Sequence, residues 1–472
     1  AFKKLTFTSE SAEKFVVLDS GACNNIFENN QFIDGVYQLF NTETTIADTN
    51  NTVHSNLFLN GHTAVYFYSV NGAFETGNII SSNTFENQTE NSIKNAYQEN
   101  LIIRNNNIET TGQGLPIYSS LMKNCSITKN TIISSWAAME FLGGSDTNII
   151  ANNFIVCESN TNMGFSIRLG IDNAKFYNNT IKSIGDQTTN SIIRVYGDNN
   201  DLKNNVLINL ISGQTIEILT GANGNLSDYN CLYTNGESLA GWQNTKCADL
   251  ETWQSESGLD ANSISSLPIF TSETDLHTNS IVIDGAGTPL TEVTDDIDGD
   301  PRDISTPDIG ADEFTSTCTG PISGTYTVGS SGDYATFNDA LTTLFECGVS
   351  SSVTFNIEAG TYNEQVLINE FISGFTENDT IIFQSATGDS TDVILTYKAD
   401  TINNYTLKLN GADRFVFKQI TIHAEDTTYG RAIEISNGAC NNLIKNCLVS
   451  AEVSDEDNNY QALVYFPEDS DS

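Results

Sequence analysis

One short pattern constrains the fold more than any other feature: apolar-x-x-Asn-x-apolar, returning every 23 to 27 residues between Ser20 and Leu207. The asparagines are Asn30, Asn56, Asn83, Asn106, Asn130, Asn153, Asn179 and Asn205. Three residues before them stand Phe27, Val53, Ile80, Ile103, Ile127, Ile150, Phe176 and Leu202, and two residues after them Phe32, Phe58, Phe85, Ile108, Ile132, Ile155, Ile181 and Leu207. A period of this size with short β-type segments and Asn-rich corners is the mark of a solenoid, one coil per repeat. The pattern predicts an all-β parallel β-helix whose coils lie ~4.8 Å apart, so that equivalent side chains stack directly on one another. Asn suits the recurring position twice over. It tolerates the left-handed backbone of a tight corner, and its amide donates and accepts, so a stack can hydrogen-bond along the axis as a structural ladder.

The coils run without interruption over 1–225. Around Leu226 the pattern changes: Tyr229, Tyr233, Trp242 and Trp253 appear, and Asp249 to Ser257 has the form of a short helix with an Asp cap. Residues 226–314 are expected to hold the terminal coils and a C-terminal cap of the first module, ending in the acidic Asp295 to Asp303 and in Thr306 to Phe314. An open coil end would leave backbone and core unsealed, which is the reason to expect a cap there. Residues 315–324 form a linker. Residues 325–472 begin a second β-helix module, with Asp333 as N-cap and a helix bearing Phe337, Ala340, Leu341 and Leu344 at i, i+3, i+4 and i+7. Strands follow at Val353 to Ile357, Gln365 to Ile368, Thr380 to Gln384 and Val393 to Tyr397. Phe2-Lys3-Lys4-Leu5-Thr6-Phe7 aligns with Phe417-Lys418-Gln419-Ile420-Thr421-Ile422, and Gly21 to Asn25 recurs identically as Gly438 to Asn442. The chain therefore reads as a piece of a tandem array, and a longer natural polypeptide is expected. In the second copy Cys447 takes the place of Asn30.

Sixty acidic against 20 basic residues give a net charge of −40, which argues against nucleic acid or an anionic membrane as partner. No apolar run is long enough to span a bilayer. Nine cysteines leave at least one unpaired. Two local pairs have the form of disulfides, Cys231 with Cys247 across a Gly-containing loop and Cys318 with Cys347 bracketing a strand and a helix, and they imply an oxidising, extracellular setting. The remaining cysteines fall in coil-like segments as small core thiols.

Alternation along the coils aligns Glu140, Arg168, Arg194 and Glu217 on one outward face of four consecutive coils. Arg beside carboxylates suits acidic sugars, and Tyr66 and Tyr118 offer stacking platforms on earlier coils. The same residues also suit a cross-strand ion-pair ladder on an exposed sheet, each pair contributing roughly 0.2–1 kcal/mol. Asp296, Asp298 and Asp300 invite a calcium reading as alternate oxygen ligands, without the EF-hand spacing. A capping loop in which Arg302 neutralises neighbouring aspartates fits the same segment. His54, His62, His277 and His423 stand apart from any Ser/Asp or Cys/His arrangement and read as surface or corner residues. No motif points to another cofactor.

Three stretches together resemble the modular right-handed, pectin-lyase-like β-helix regions of very large secreted and surface proteins of Bacteroidota-type bacteria. They are the coil repeats, the closing segment Asp295 to Phe314, and the opening segment Gly324 to Leu341. The resemblance implies export, usually by the type IX route, and a role in adhesion or as an extended stalk. Gly360 to Val366 is similar to the early coils of pectin methylesterases, where that segment is structural, and no catalytic residue carries over. Two functions follow as expectations. One is a non-enzymatic extracellular module of an adhesin, stalk or filament, with further copies of itself, lateral copies or surface polysaccharide as partners. The other is a polysaccharide-binding or polysaccharide-degrading enzyme, a lyase, hydrolase or esterase, on the same fold.

Overall fold

The computed structural model describes residues 1–9, 13–19, 21–41, 46–70, 73–158, 164–185, 191–369, 372–401, 403–452 and 459–467. Ser20, where the repeat stretch opens, lies outside the described residues. The chain divides into two compact units, Ala1–Thr278 with Ile283–Thr315, and Asn279–Val282 with Ser316–Ser472.

In the first unit each coil contributes a short strand to each of three sheets, of ten, twelve and ten strands, all paired in parallel except the terminal hairpin of the second. The register is residue-on-residue: Ile80 lies between Val53 and Ile103, and Phe85 between Phe58 and Ile108. Both apolar columns point inward and are buried throughout. Phe7, Phe32, Phe58 and Phe85 stack face to face with centroids 4.7, 4.7 and 4.9 Å apart, the spacing of the strands that carry them.

A two-residue corner joins the first sheet to the next. The ladder is continuous: after Asn30, whose Oδ1 accepts from Leu5 N–H, each Asn Oδ1 accepts from the backbone N–H and Nδ2 of the ladder Asn one coil earlier, as Asn83 does from Asn56 at 2.9 and 3.0 Å. Each Nδ2 also donates to a strand carbonyl of the preceding coil, Asn83 to Val53 at 2.9 Å. Corner groups that would otherwise be buried and unpaired are thereby satisfied. The left-handed residue, however, is the one before the ladder Asn. Asn29, Ser55, Ser82, Asn105, Lys129, Asn152, Asn178 and Asn204 have φ between +50° and +57°. The tight turn and the inward amide are thus divided between two neighbours. A second, interrupted ladder runs five residues earlier, with Asn25 bonded to Asn51, Asn51 to Asn78, and Asn200 to Asn225.

The far end of the first unit is sealed by the hairpin Ala240–Trp242/Thr245–Cys247 and helix α1, Leu250–Ser257. Asp249 caps α1 by accepting from Thr252 N–H, as the sequence suggests, and Gly258 ends it in the left-handed region. Trp253 is fully buried, and its Nε1 donates to Asp260 Oδ2 at 2.7 Å.

The segment expected to close that end does something else. Residues 283–314 run back along the flank from Asn204 to Lys129 and then return, a doubled strap over the last four left-handed corner residues, whose side chains point outward. Asn204 donates to Thr288 O at 2.7 Å, Asn178 to Asp308 O at 3.3 Å, and Asn152 accepts from Arg302 Nη2 at 2.8 Å. Lys129 pairs with Asp295 at 2.7 Å. Beneath the strap, Leu276 and Ala311 pack on Phe154 and Val156, outward apolar residues that the strap covers.

Cys231 and Cys247 are free and buried, not bridged. Alternation explains this: Leu232 faces the core, so its neighbour Cys231 turns out of it and contacts Ser266 O at 3.2 Å, whereas Cys247 sits in the core on another sheet.

The second unit repeats the plan in sheets of five, four and four strands. Helix α2, Phe337–Cys347, buries Phe337, Ala340, Leu341 and Leu344 against Val328, Phe355 and the coil core. Its N-cap is Thr336, not Asp333. Asp333 instead closes a turn by accepting from Thr327 N–H and Oγ1, both at 2.8 Å. Cys318 and Cys347 form a disulfide. No described helix is long and apolar enough to cross a membrane.

Candidate ligand face and metal-ligating cluster

The charged column exists and is longer than alternation alone showed. On the outer face of one sheet the register places Phe40, Tyr66, Lys94, Tyr118, Glu140, Arg168, Arg194 and Glu217 in a single row. Phe40 and Lys94 escape sequence reading because the stretch that follows them varies: the next ladder Asn stands 16 and 12 residues on, against 11 for Arg168 and Arg194, which blurs the count back from the ladder.

Every cation in the row has a partner. Lys94 lies 5.7 Å from the ring centroids of both Tyr66 and Tyr118. Arg168 Nη1 donates to Glu140 Oε1 at 2.9 Å, and its guanidinium lies 4.5 Å from the Tyr196 ring centroid. Arg194 Nε donates to Glu217, which also accepts from Ser191 Oγ at 3.0 Å. Gly164, at φ +82°, leaves room for Arg194, since a Cβ there would stand 2.7 Å from Nη1. Burial and the nearby Glu140 carboxylate push the Tyr118 hydroxyl above its usual range. Tyr66 does not serve as an open platform. It is only 7% exposed, stacked on Phe40 at 4.7 Å with the edge of Tyr37 at 5.6 Å. The row is an internally paired ladder, half cation–π and half ion pair.

A buried carboxylate cluster lies inside the same unit. Glu75, 2% exposed, accepts from Asn41, from Asn78 at 3.3 Å and from Gln98 at 2.8 Å. Burial, with buried Asp48 nearby, pushes its carboxyl up to about 8.

On the strap, Asp296, Asp298 and Asp300 do not converge on one point. Asp296 is buried, and its Oδ1 accepts from the backbone N–H groups of Asp298, Gly299 and Asp300 while Oδ2 accepts from Glu313 N–H. It shapes the turn and has little capacity left for an ion. Arg302 is likewise committed away from the neighbouring aspartates: it pairs with Glu313 at 3.1 Å and holds Gly310 O and Asn152.

The strap gathers a different set. His277 Nε2 meets Asp298 Oδ2 at 2.9 Å, and His277, Asp298 and Asp312 each present a ligand atom within 4.8 Å of the others. His277 Nδ1 is held by Asp275, and the ring stands edge-on to Phe154 with centroids 4.8 Å apart. Burial lowers the imidazole's proton affinity, but the hydrogen bonds it donates to Asp275 and Asp298 outweigh this and leave the pKa raised. Burial pushes the Asp312 carboxyl up to about 6 despite the favourable imidazole. In the sequence His277 lies 21 and 35 residues from Asp298 and Asp312, so only the fold-back of the strap reveals the cluster.

The coils, their inward columns and the strand register define a parallel β-helix, and residues 2–155 match the family model described as a right-handed beta helix region. Among solved structures the chain is similar to a PL6 family alginate lyase, at 11% identity over 99% of this chain and 74% of that one, with a TM-score of 0.27. A mutant of that enzyme aligns at 10% identity over 92% and 73%, with a TM-score of 0.26. No curated protein gives a significant match.

Proposed function

We propose that this chain is a non-enzymatic module of an extracellular surface protein, an adhesin, stalk or filament built from β-helix units in series. The observation that carries the reading is the paired state of the outer row. Glu140 and Glu217, its two carboxylates, are each engaged by a guanidinium, and Lys94 is sandwiched between tyrosines. To act as base or acid on a substrate, one of these groups would first have to give up its present partner. The Cys318–Cys347 disulfide fits an oxidising compartment, and the recurrence of Phe2 to Phe7 and Gly21 to Asn25 one module later fits a serial array.

The test is to incubate the purified chain with alginate, polygalacturonate and other acidic polysaccharides while following unsaturated and reducing ends, and to image the native surface material by electron microscopy. Units joined in series and no release of sugar ends are expected. Release that disappears in Arg168→Ala would establish the enzymatic alternative instead.

A further inference from the structure

The structure assigns to His277, Asp298 and Asp312 a binding site for one divalent first-row transition-metal ion of the zinc class. The inference stands apart from the proposed function and concerns how the strap is fastened to the coils.

The donor set is mixed. An imidazole nitrogen with two carboxylates suits zinc and its neighbours, whereas calcium and magnesium take oxygen ligands alone. Ligand atoms held ~2.0–2.2 Å from such an ion stand roughly 3–3.5 Å from one another. The three groups already lie within 4.8 Å, with His277 Nε2 and Asp298 Oδ2 at 2.9 Å, so the ion replaces the proton between those two atoms, which passes to solvent, and small side-chain rotations complete the geometry. Water would fill the remaining position.

The surroundings resemble those of a built site. Asp275 holds His277 Nδ1, which fixes the tautomer and turns Nε2 towards the two carboxylates, the outer-shell arrangement that metal-binding histidines use. The edge-on Phe154 ring packs on the imidazole, and Phe154 is itself packed with the buried Leu276 and Ala311. Asp298 projects from a turn pinned by three N–H bonds to Asp296. Asp312 follows Ala311, whose N–H is tied to Thr180 Oγ1 at 2.9 Å. The three ligands thus come from three anchored segments. No described lysine or arginine side chain forms an ion pair with Asp275, Asp298 or Asp312: Lys182 goes to Glu273 and Arg302 to Glu313. Three carboxylates around one imidazole leave an excess of negative charge that a divalent ion offsets.

The test uses the whole chain, stripped with a chelator and titrated with zinc against a chromogenic competitor, and separately with cobalt followed by visible absorption. One zinc per chain is expected, with a cobalt spectrum of a nitrogen- and oxygen-ligated ion. His277→Gln and Asp312→Asn should each weaken zinc binding tenfold or more, Asp275→Asn several-fold, and Asp300→Asn, an exposed neighbour outside the set, should leave it unchanged. Thermal unfolding of each variant without metal checks that it is folded. Failure of the folded wild-type chain to bind zinc stoichiometrically, unchanged affinity in folded His277→Gln, or preference for calcium over zinc would each overturn the assignment.

Discussion

Replacing Asn130 tests whether the ladder acts through its hydrogen bonds or merely fills a corner. Asn130 is fully buried. Its Nδ2 donates to Ile103 O, Thr128 O and Asn153 Oδ1 at 3.1, 3.1 and 3.0 Å, and its Oδ1 accepts from Asn106 N–H and Nδ2 at 3.1 and 2.9 Å. Asn130→Ala removes all five contacts and strands a buried Asn106 N–H. With a net ~1 kcal/mol per bond and some relaxation at the corner, the cost is about 3–5 kcal/mol. Because a solenoid unfolds in parts, the change is best read locally, as native-state hydrogen exchange of Asn106 and of the strands Ser126–Thr128 and Thr131–Ser134. Protection there should fall on the order of a thousandfold, each tenfold being about 1.4 kcal/mol. Asn130→Asp, of nearly the same shape, separates the two accounts, since it replaces the donor amide by an oxygen facing three acceptors. It should be at least as damaging as Ala at neutral pH. If the Asn130→Asp variant exchanges within tenfold of the native chain, the ladder works through shape and the hydrogen-bond argument fails.

Alkylation of the denatured, unreduced chain should count seven free thiols, the seven free cysteines of the structure; five would mean that Cys231 and Cys247 are bridged after all. Loss of the Cys318–Cys347 bond, which spans 29 residues, should destabilise the second unit by about 3–4 kcal/mol, measured as a denaturant midpoint with and without reductant. The Glu75 carboxyl lies raised from 4.5 to about 8, so the unfolded chain loses this proton at lower pH than the folded one. Its contribution is fully present below about pH 4.5 and declines as pH rises to about 8; Glu75→Gln should flatten stability across that window, and an unchanged pH profile would refute the assignment. Trp253→Ala, at the sealed end, should cost about 3–5 kcal/mol and raise binding of a hydrophobic dye to the exposed core.

The fold is legible because each coil repeats one local rule, and eight copies of an apolar-Asn-apolar spacing leave little room for another architecture. Trp253, the Asp249 cap and the apolar face of α2 can likewise be read from local pattern. What cannot be read depends on contacts distant in sequence. The strap reads as an end cap because its composition announces an unusual segment without saying where it docks. The outward Phe154 and Val156 are the available hint, two apolar residues on a face that should have been wet. The Cys231–Cys247 pairing fails because short separation counts for less than strand alternation. Tyr66 falls on the correct face, but its burial under Phe40 and Tyr37 depends on neighbours one coil away and on the same strand pair. His277 looks solitary until residues 21 and 35 positions further on fold back to it.

The two-residue corner also determines where this architecture can change. Both ladders keep a constant five-residue separation wherever both asparagines occur, as in Asn25/Asn30, Asn51/Asn56, Asn78/Asn83 and Asn148/Asn153. All of the variation between 23 and 27 residues per coil therefore falls on the arc that leaves one ladder and returns to the other. The corner acts as a spine of fixed pitch, and the opposite arc is free to lengthen, shorten and drift. Insertions there alter the decorated side of the coils without disturbing the stacking beneath, so new surfaces can be tried at a small cost to the fold.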